Sequence, residues 1–221
     1  MNYSNETTEL MMSYKTIIYF AGGFLYLLLC CTACTYDNTS PPFEEPSTYT
    51  YNHASTTLKW TAYKYTTMVG VSGHFNEINV SNCITADTPN RAIENMNFNI
   101  NTQTIDTESS IRDTNILDYF FRHLMTAENI SGKVNRCIGD IRSGNIYMDL
   151  TMNGIQREIP LDYRMDGTLM HLEGNFSLSD FEADAALDSM MYCCAELHTG
   201  SDGIHLLWPD IQIEITTDFG N

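Results

Sequence analysis

The chain has 221 residues, 43% of them apolar, which is enough to form a packed core in one good-sized domain or two small ones. Eleven Lys and Arg residues against 28 Asp and Glu residues give a formal net charge of −17. Such a surface repels phosphate backbones and anionic lipid headgroups, so the composition excludes charge-driven binding to nucleic acids.

The N-terminus has the layout of an export signal. Lys15 precedes an uncharged, mostly apolar run from Thr16 to Leu29, and small residues and cysteines follow. A short basic region, an apolar helix and a small-residue cleavage zone are typical of a secretory signal peptide. Ala33 directly before Cys34 resembles a bacterial lipoprotein signal, in which the cysteine receives lipid and becomes the mature N-terminus. Residues 1–34 are therefore predicted to be a signal peptide with a lipoprotein-type cysteine, lipidated at Cys34.

Alternatives remain open for this segment. Cys31 stands three positions before Cys34, where Leu is usual, so Cys30 or Cys31 is an alternative site of lipidation. The run from Thr16 to Cys34 is also nearly long enough for an uncleaved anchor helix, which needs about 20 apolar residues. Translation starting at Met11 or Met12 is a further alternative, because the first ten residues carry two acids and no base. Each alternative leaves the rest of the chain outside the cytoplasm and tethered to a membrane.

Residues 35–56 carry three prolines and no apolar period. Such a composition is typical of a flexible linker. We predict a tether over 35–56 and a single domain over 57–217.

Alternation of apolar and polar residues dominates the domain and predicts strands with one buried face. Asn153-Gly154 between two alternating segments predicts a tight type I′ hairpin, and Asp166-Gly167 predicts a second turn. Glycines at 70 and 73 predict a bend or bulge in the second strand. The in-phase apolar residues are Leu58, Trp60 and Ala62; Met96, Phe98 and Ile100; Ile146, Met148, Leu150 and Met152; Ile155, Ile159, Leu161 and Tyr163; Met170, Leu172, Phe176 and Leu178; and Ile211, Ile213 and Ile215.

Two stretches have helical character instead. RDTNILDYFFRHLM (112–125) places apolar residues at helical spacing, and we predict a helix that begins near Asn115, capped by Asp113 or Thr114. A second helix is predicted from Ser179, which stands at capping-box spacing from Glu182. Seven or eight hairpin-linked strands and two short helices indicate a mainly β fold, either a barrel or a sandwich.

Two polar clusters invite a catalytic or metal-binding interpretation. Cys193, Cys194, His198 and Asp202 are close in sequence, but the second pair of ligands that a zinc site usually has is missing, so a structural role in a loop is favoured. The tract that carries Asp106, Glu108, Arg112 and Asp113 has no companion nucleophile or histidine, so it is interpreted as the rim of a hairpin and the start of a helix. We therefore predict no metal site and no enzymatic activity.

Four cysteines follow Cys34, namely Cys83, Cys137, Cys193 and Cys194. Disulfides are permitted outside the cytoplasm, and four cysteines allow three pairings among which the sequence does not choose. Free buried thiols are the alternative.

Four stretches, taken in order, resemble the YceI-like family, the polyisoprenoid-binding proteins of the bacterial envelope. The stretches are LKWTAYKYTTMVGVSGHFNEI (58–78), FNINTQTIDTESSIRDTNILDYFF (98–121), LTMNGIQREIPLDY (150–163) and FSLSDFEADAAL (176–187). They match a family strand ending in V-x-G-x-F, a strand running into S-I-x-T and R-D, a hairpin, and a terminal strand ending in a D-F pair. Together with the final strand the resemblance spans Leu58 to Ile215, essentially the whole domain.

The resemblance implies an extended, lipocalin-like antiparallel β-barrel of about eight strands with helical caps. It also implies that the barrel binds a long isoprenoid chain in an apolar tunnel without catalysis. Asn115 departs from the family, which commonly has His at this position. Residues 191–213, MYCCAELHTGSDGIHLLWPDIQI, resemble a lipoprotein branch of the family, for which the ligand need not be the same.

The combined prediction is an exported, membrane-anchored lipoprotein that stores or transports a polyprenyl chain or quinone inside the barrel. It is expected in the bacterial cell envelope, lipid-anchored to a membrane, with its domain in the periplasm or at the cell surface, and a homodimer is a further expectation. No cofactor is expected other than a bound isoprenoid lipid or quinone. The predicted lining residues are Trp60, Phe75, Met96, Phe98, Ile100, Phe120, Met148, Leu150 and Phe176.

Two other functions stay open because alternation indicates burial and does not distinguish a tunnel from a filled core. One is a structural or interaction lipoprotein whose barrel is filled by side chains. The other is an envelope enzyme that uses Cys194, His198 and Asp202.

Overall fold

The computed structural model describes residues 46–220, which belong to one compact unit. The predicted signal peptide, the lipidation site Cys34 and the tether up to residue 45 lie outside the described residues. No helix between residues 46 and 220 is long and apolar enough to cross a membrane.

The strands and helices are numbered in chain order. The strands are β1 (Tyr49–Thr50), β2 (Thr56–Lys64), β3 (Val69–Phe75), β4 (Ile78–Ser81), β5 (Thr85–Ala86), β6 (Asn97–Asn101), β7 (Ile105–Asp106), β8 (Asn129–Gly139), β9 (Ser143–Met152), β10 (Ile155–Asp166), β11 (Leu169–Ser177) and β12 (Leu207–Asp218). The α-helices are α1 (Pro89–Ile93), α2 (Ser110–Tyr119), α3 (Asp184–Cys193) and α4 (Ala195–His198). Short 3-10 turns cover His53–Ser55, Thr102–Thr104, Phe121–His123 and Leu178–Phe181.

Ten of the strands form one antiparallel sheet in the order β4-β6-β8-β9-β10-β11-β12-β2-β3-β7. The sheet closes on itself because β3 continues into β4 and β6 continues into β7 across a bend. At this bend the Asn76 N–H donates to the Thr104 carbonyl at 3.0 Å, and the Asn101 N–H donates to the Glu77 carbonyl at 3.1 Å. Counting each bent pair as one strand gives eight strands, which confirms the predicted lipocalin-like barrel.

The hairpin turns follow from the backbone that each residue adopts. Asn153 (φ 54°) and Gly154 (φ 75°) both lie in the left-handed region, as a type I′ turn requires, and this confirms the predicted turn. The second turn is shifted by one residue from its prediction. Asp166 pairs with Leu169, so Gly167 (φ 61°) and Thr168 form the loop, and glycine supplies the positive φ at its first position.

The core lies on the inward faces that alternation predicts. Along β9 the in-phase apolar residues, from Ile146 to Met152, are all buried, whereas the residues between them are more exposed. Leu161 on the neighbouring β10 is 2% exposed. A period of two in the sequence therefore identifies the inner face of each long strand.

Both helix starts differ from their predictions. α2 begins at Ser110 with Ser109 as N-cap, about five residues before the predicted start, because Ile111 is the single apolar residue of its first turn and gives no apolar period. Asp113 lies inside the first turn, where its carboxylate accepts hydrogen bonds from the backbone N–H and the hydroxyl of Thr107. α3 begins at Asp184, because Glu182 takes a left-handed φ of 52° that interrupts the helix predicted from Ser179.

Ordered structure also begins before the predicted domain start at residue 57. Tyr49 is 1% exposed, and its ring packs edge-to-face on Phe219 with centroids 6.0 Å apart. β1 pairs with β5, so this part of the predicted tether belongs to the folded domain. The prediction missed this segment because one buried aromatic residue, Tyr49, attaches it to the domain. A single residue does not show in the composition of a proline-rich stretch.

The barrel has two different ends. At the helical end, defined by α2, α3 and α4, the Lys64 ammonium at the end of β2 donates to the Leu197 carbonyl in α4 at 3.0 Å. At the opposite end, defined by β1, β5 and α1, the Ser55 hydroxyl donates to the Asp218 carbonyl at 2.8 Å. β2 runs from the opposite end to the helical end, so distances along β2 measure the length of the barrel interior.

Candidate functional site

A cavity of about 560 Å³ fills the interior of the barrel. Its wall includes Thr56 at the first residue of β2 and Lys64 at the last residue of the same strand. At about 3.3 Å per residue these positions are about 26 Å apart along the strand. The volume falls within the range of about 300–1,000 Å³ that is usual for ligand pockets. The interior is therefore elongated and is not filled by side chains.

All nine predicted lining residues lie in the wall of this cavity. They are Trp60, Phe75, Met96, Phe98, Ile100, Phe120, Met148, Leu150 and Phe176. Five strands contribute seven of them, Met96 directly precedes β6, and Phe120 directly follows α2. The barrel closure brings them to one space.

Sequence reasoning missed other parts of the wall. Alternation predicted which residues of β10, β11 and β12 lie on the buried face. It did not predict that these strands lie across the cavity from β6. Their lining residues include Leu161, Leu172, Ile211, Ile213 and Ile215. The cavity wall also includes the polar residues Lys64, Arg112 and His198. No sequence motif or spacing connects them, so their position in the wall could not be predicted.

An aromatic cluster forms one side of the cavity. Trp60 and Phe75 have ring centroids 6.5 Å apart, and Phe75 contacts Phe121 edge-to-face at 6.3 Å. Gly73 on β3 allows this arrangement, because a Cβ at that position would lie 2.4 Å from Cζ2 of Trp60. The predicted bend at the glycines thus corresponds to a close approach of the indole ring to the β3 backbone.

The cavity wall has exposed edges at two apolar residues. Ile111 on α2 and Leu197 on α4 are both part of the wall and are also 74% and 55% exposed, respectively. Arg112, beside Ile111, is exposed and lines the same edge, and it makes no ion pair with any residue between 46 and 220. An exposed apolar side chain with a cation beside it, as at Ile111 and Arg112, suits the entry of an amphipathic ligand.

Two buried polar atoms of the wall have no hydrogen-bond partner within the described chain. They are Nε1 of Trp60 and Nδ1 of His198. Buried polar groups are nearly always paired in folded proteins, so each of these atoms needs an explanation. The remaining wall is almost entirely apolar.

The predicted cluster of Cys193, Cys194, His198 and Asp202 is not assembled into one site. The Asp202 carboxylate accepts from the Thr66 hydroxyl at 2.6 Å and from the Ile204 N–H at 3.0 Å, and these bonds fold the loop against the β2–β3 hairpin. The Thr66 hydroxyl is the main reason that the pKa of Asp202 lies below its usual value. Residues 46–220 contain no group of three side chains placed to hold a metal ion.

The acidic tract after β6 is also engaged in structure. The Asp106 carboxylate accepts from the Glu108 N–H at 2.8 Å, and this hydrogen bond is the main cause that lowers the pKa of Asp106. His74 faces the same carboxylate at 3.6 Å. With Asp113 bound to Thr107, the tract forms the rim between β7 and α2.

The four cysteines of the described domain are free thiols. Cys137 is half-buried on β8, and burial raises its pKa to about 12. Cys193 is exposed and its neighbour Cys194 is buried. None of the three possible pairings is formed within residues 46–220.

The buried imidazole of His198 should make folding sensitive to pH. Burial is the main cause that lowers the pKa of His198 below its ordinary 6.5, and the charge of Lys64 adds to the effect. As the pH drops below 6.5, His198 is protonated in the unfolded chain before it is protonated in the folded chain. The free energy of unfolding therefore falls. Its slope is at most about 1.4 kcal/mol per pH unit.

Urea titrations between about pH 5 and pH 8 measure this slope. We expect His198→Gln to flatten it and the same change at exposed His53 to leave it unaltered. An unchanged slope in His198→Gln would show that another group causes the pH dependence.

Comparisons with known proteins agree with the fold. The family described as YceI-like domain matches residues 49–219. A polyisoprenoid-binding domain from Saccharophagus degradans, implicated in plant cell wall breakdown, superimposes with a TM-score of 0.53 at 12% identity, over 79% of this chain and 99% of that one. BcnA of Burkholderia cenocepacia superimposes with a TM-score of 0.51 at 12% identity, over 76% of this chain and 98% of that one.

At such identities the solved structures support the fold alone. No curated protein sequence is similar enough to this chain to count as a match. The family match covers most of the chain and every strand of the barrel. The chain belongs to the YceI-like family.

Proposed function

We propose that the barrel binds an isoprenoid-type lipid, either a polyprenyl chain or a quinone, and stores or transports it without chemical change. The observation that carries this proposal is the elongated apolar cavity of about 560 Å³ inside the barrel. A solved structure with the same fold is a polyisoprenoid-binding domain, which supports the choice of ligand class.

The energetics favour a long chain over a short one. Burial of each methylene contributes about 0.8 kcal/mol, so about ten of them contribute about 8 kcal/mol. Association itself costs about 4–15 kcal/mol, and the wall offers few polar contacts that help to offset this cost. Tight binding therefore needs a ligand long enough to use most of the cavity.

The proposal includes attachment to a membrane of the bacterial envelope through lipid on Cys34, with the domain in the periplasm or at the cell surface. Its support is the signal-like sequence before Cys34 and the three prolines between Cys34 and the domain. The exposed apolar side chains of Ile111 and Leu197 in the cavity wall suit a ligand that leaves a bilayer. A homodimer stays a prediction, which the mass of the native protein tests.

The two alternative functions fit the structure less well. A barrel filled by side chains disagrees with the observed cavity. An enzyme that uses Cys194, His198 and Asp202 disagrees with the engagement of Asp202 by Thr66 and Ile204.

Thermal unfolding with added polyprenols tests the proposal. A ligand at about 100 times its Kd stabilises the folded state by about 2.7 kcal/mol. For a chain of this size that corresponds to a rise in Tm of about 5–10 °C. We expect the rise to increase with prenol length until the cavity is full. Equal Tm values with and without every prenol of the series would contradict ligand binding.

A further inference from the structure

Two polar side chains of the cavity wall come from the place where α4 meets the end of β2. Lys64 is the last residue of β2 and His198 is the last residue of α4, and both line the cavity. Their link is direct, because the Lys64 ammonium donates to the carbonyl of Leu197, the neighbour of His198, at 3.0 Å. The positive charge of Lys64 is also close enough to oppose protonation of His198. We refer to Lys64 and His198 together as the polar pair.

His198 presents a hydrogen-bond acceptor without a donor. Its side chain is more than nine-tenths buried, and Nδ1 has no partner between residues 46 and 220. A neutral imidazole has one N–H donor and one acceptor nitrogen, so Nδ1 needs a partner in either tautomer. With the ring proton on Nε2, Nδ1 carries a lone pair, and a buried acceptor that accepts nothing is destabilising.

Lys64 presents donors without an acidic partner. An ammonium has three N–H donors, and one of them is used by the Leu197 carbonyl. The group also lies 4.5 Å from the centroid of the Tyr65 ring. No carboxylate forms an ion pair with Lys64 in the described part of the chain. Two N–H donors of the Lys64 ammonium therefore remain for a ligand, next to the residue that precedes His198.

A hydroxyl group satisfies both members of the pair, because it donates one hydrogen bond and accepts others. We propose that the polar pair binds the hydroxyl of an alcohol or phenol whose apolar chain occupies the cavity. The O–H donates to Nδ1 of His198, and the same oxygen accepts from Nζ of Lys64. This inference rests on the proposed lipid binding and adds the chemistry of the head group and the end of the barrel that holds it.

A phosphate head group fits the pair less well. It offers acceptors but no dependable donor for Nδ1, and Lys64 is the single cation of the pair. The surrounding loop is acidic, with Glu196 on α4 and Asp202 hydrogen-bonded to Thr66. A hydrocarbon without a head group leaves both members of the pair unsatisfied.

The test uses the full chain in lipid nanodiscs, with empty nanodiscs as the blank. Three probes share one chain and differ only in the head: farnesol, its methyl ether, and a farnesene hydrocarbon. The ether keeps the acceptor oxygen and loses the donor. We expect farnesol to bind about tenfold more tightly than the other two, the value of one good hydrogen bond to a buried group.

Substitutions of Lys64 and His198 test whether the polar pair causes the tighter binding of farnesol. His198→Phe is expected to bring farnesol to the affinity of the ether without changing the affinity of the hydrocarbon, and Lys64→Met is expected to weaken farnesol similarly. His205→Phe is the matched control, because His205 belongs to the same loop and lies outside the cavity wall. Should His198→Phe fail to fold, the comparison of the probes on the native chain still decides the question.

The outcomes separate the two proposals. Equal affinity for all three probes would overturn the head-group assignment and leave lipid binding standing. Tighter binding of farnesyl phosphate than of farnesol would show that the site prefers an anionic head group to a hydroxyl. That result would overturn the head-group assignment as well. Absence of binding by every probe, together with no thermal shift from any polyprenol, would overturn both proposals.

Discussion

Replacing Ala62 by Trp should abolish lipid binding and leave the barrel folded. Ala62 lies in the second half of β2 with its side chain in the cavity wall, between Trp60 and Lys64 on the same face. An indole at this position occupies space that the ligand chain needs. Loss of contact with about four methylenes costs about 3 kcal/mol, which raises the Kd more than about 100-fold. Isothermal titration with a polyprenol measures the change.

Asn175→Trp is the control for this substitution. Asn175 lies on β11, exposed on the outer face of the barrel, so the same indole there adds bulk without entering the cavity. We expect its affinity to equal that of the native chain. Unimpaired binding by Ala62→Trp would place the ligand somewhere other than the cavity.

Truncation of Phe181 to Ala should destabilise the fold by about 3–5 kcal/mol, a large part of the stability of a typical domain. Phe181 is 0% exposed in the 3-10 turn before α3, and its ring contacts Phe176 edge-to-face at 5.5 Å. Its carbonyl accepts a hydrogen bond from the Asn153 side chain at 2.9 Å, which joins this turn to the β9–β10 hairpin. Urea unfolding followed by circular dichroism measures the loss.

Phe120→Ala is the comparison for this second prediction. Phe120 is half-buried and lines the cavity. Its truncation therefore enlarges the existing cavity and does not create a new cavity in the packed core. We expect a smaller loss than at Phe181. A loss of less than about 1 kcal/mol in Phe181→Ala would show that the turn contributes little to the stability of the helical end.

The strands of the barrel were predictable because each has one buried face. A period of two appears in the sequence wherever one side of a strand packs inward, as from Ile146 to Met152 on β9. The same period placed Met96, Phe98 and Ile100 on the inner side of β6, where the structure has them. The start of α2 at Ser110 was not predictable, because Ser109 makes no side-chain capping hydrogen bond there and the apolar period of the helix begins only at Ile116.

The candidate site was predictable in part. Alternation assigns a residue to a face, and the aromatic and aliphatic wall of the cavity follows from it. The distance between strands far apart in the chain depends on barrel closure, which requires the bend at Asn76 and Glu77. The polar pair depends on α4 packing on the end of β2, a contact between positions 64 and 197 that no local pattern indicates.

Native mass spectrometry of the full chain, purified gently from bacterial envelopes, tests the central claim most directly. The account predicts one adduct per chain with the mass of an isoprenoid lipid, carried by the native chain and by Asn175→Trp and absent from Ala62→Trp. A native chain without any lipid-sized adduct, or an adduct that persists in Ala62→Trp, would contradict it.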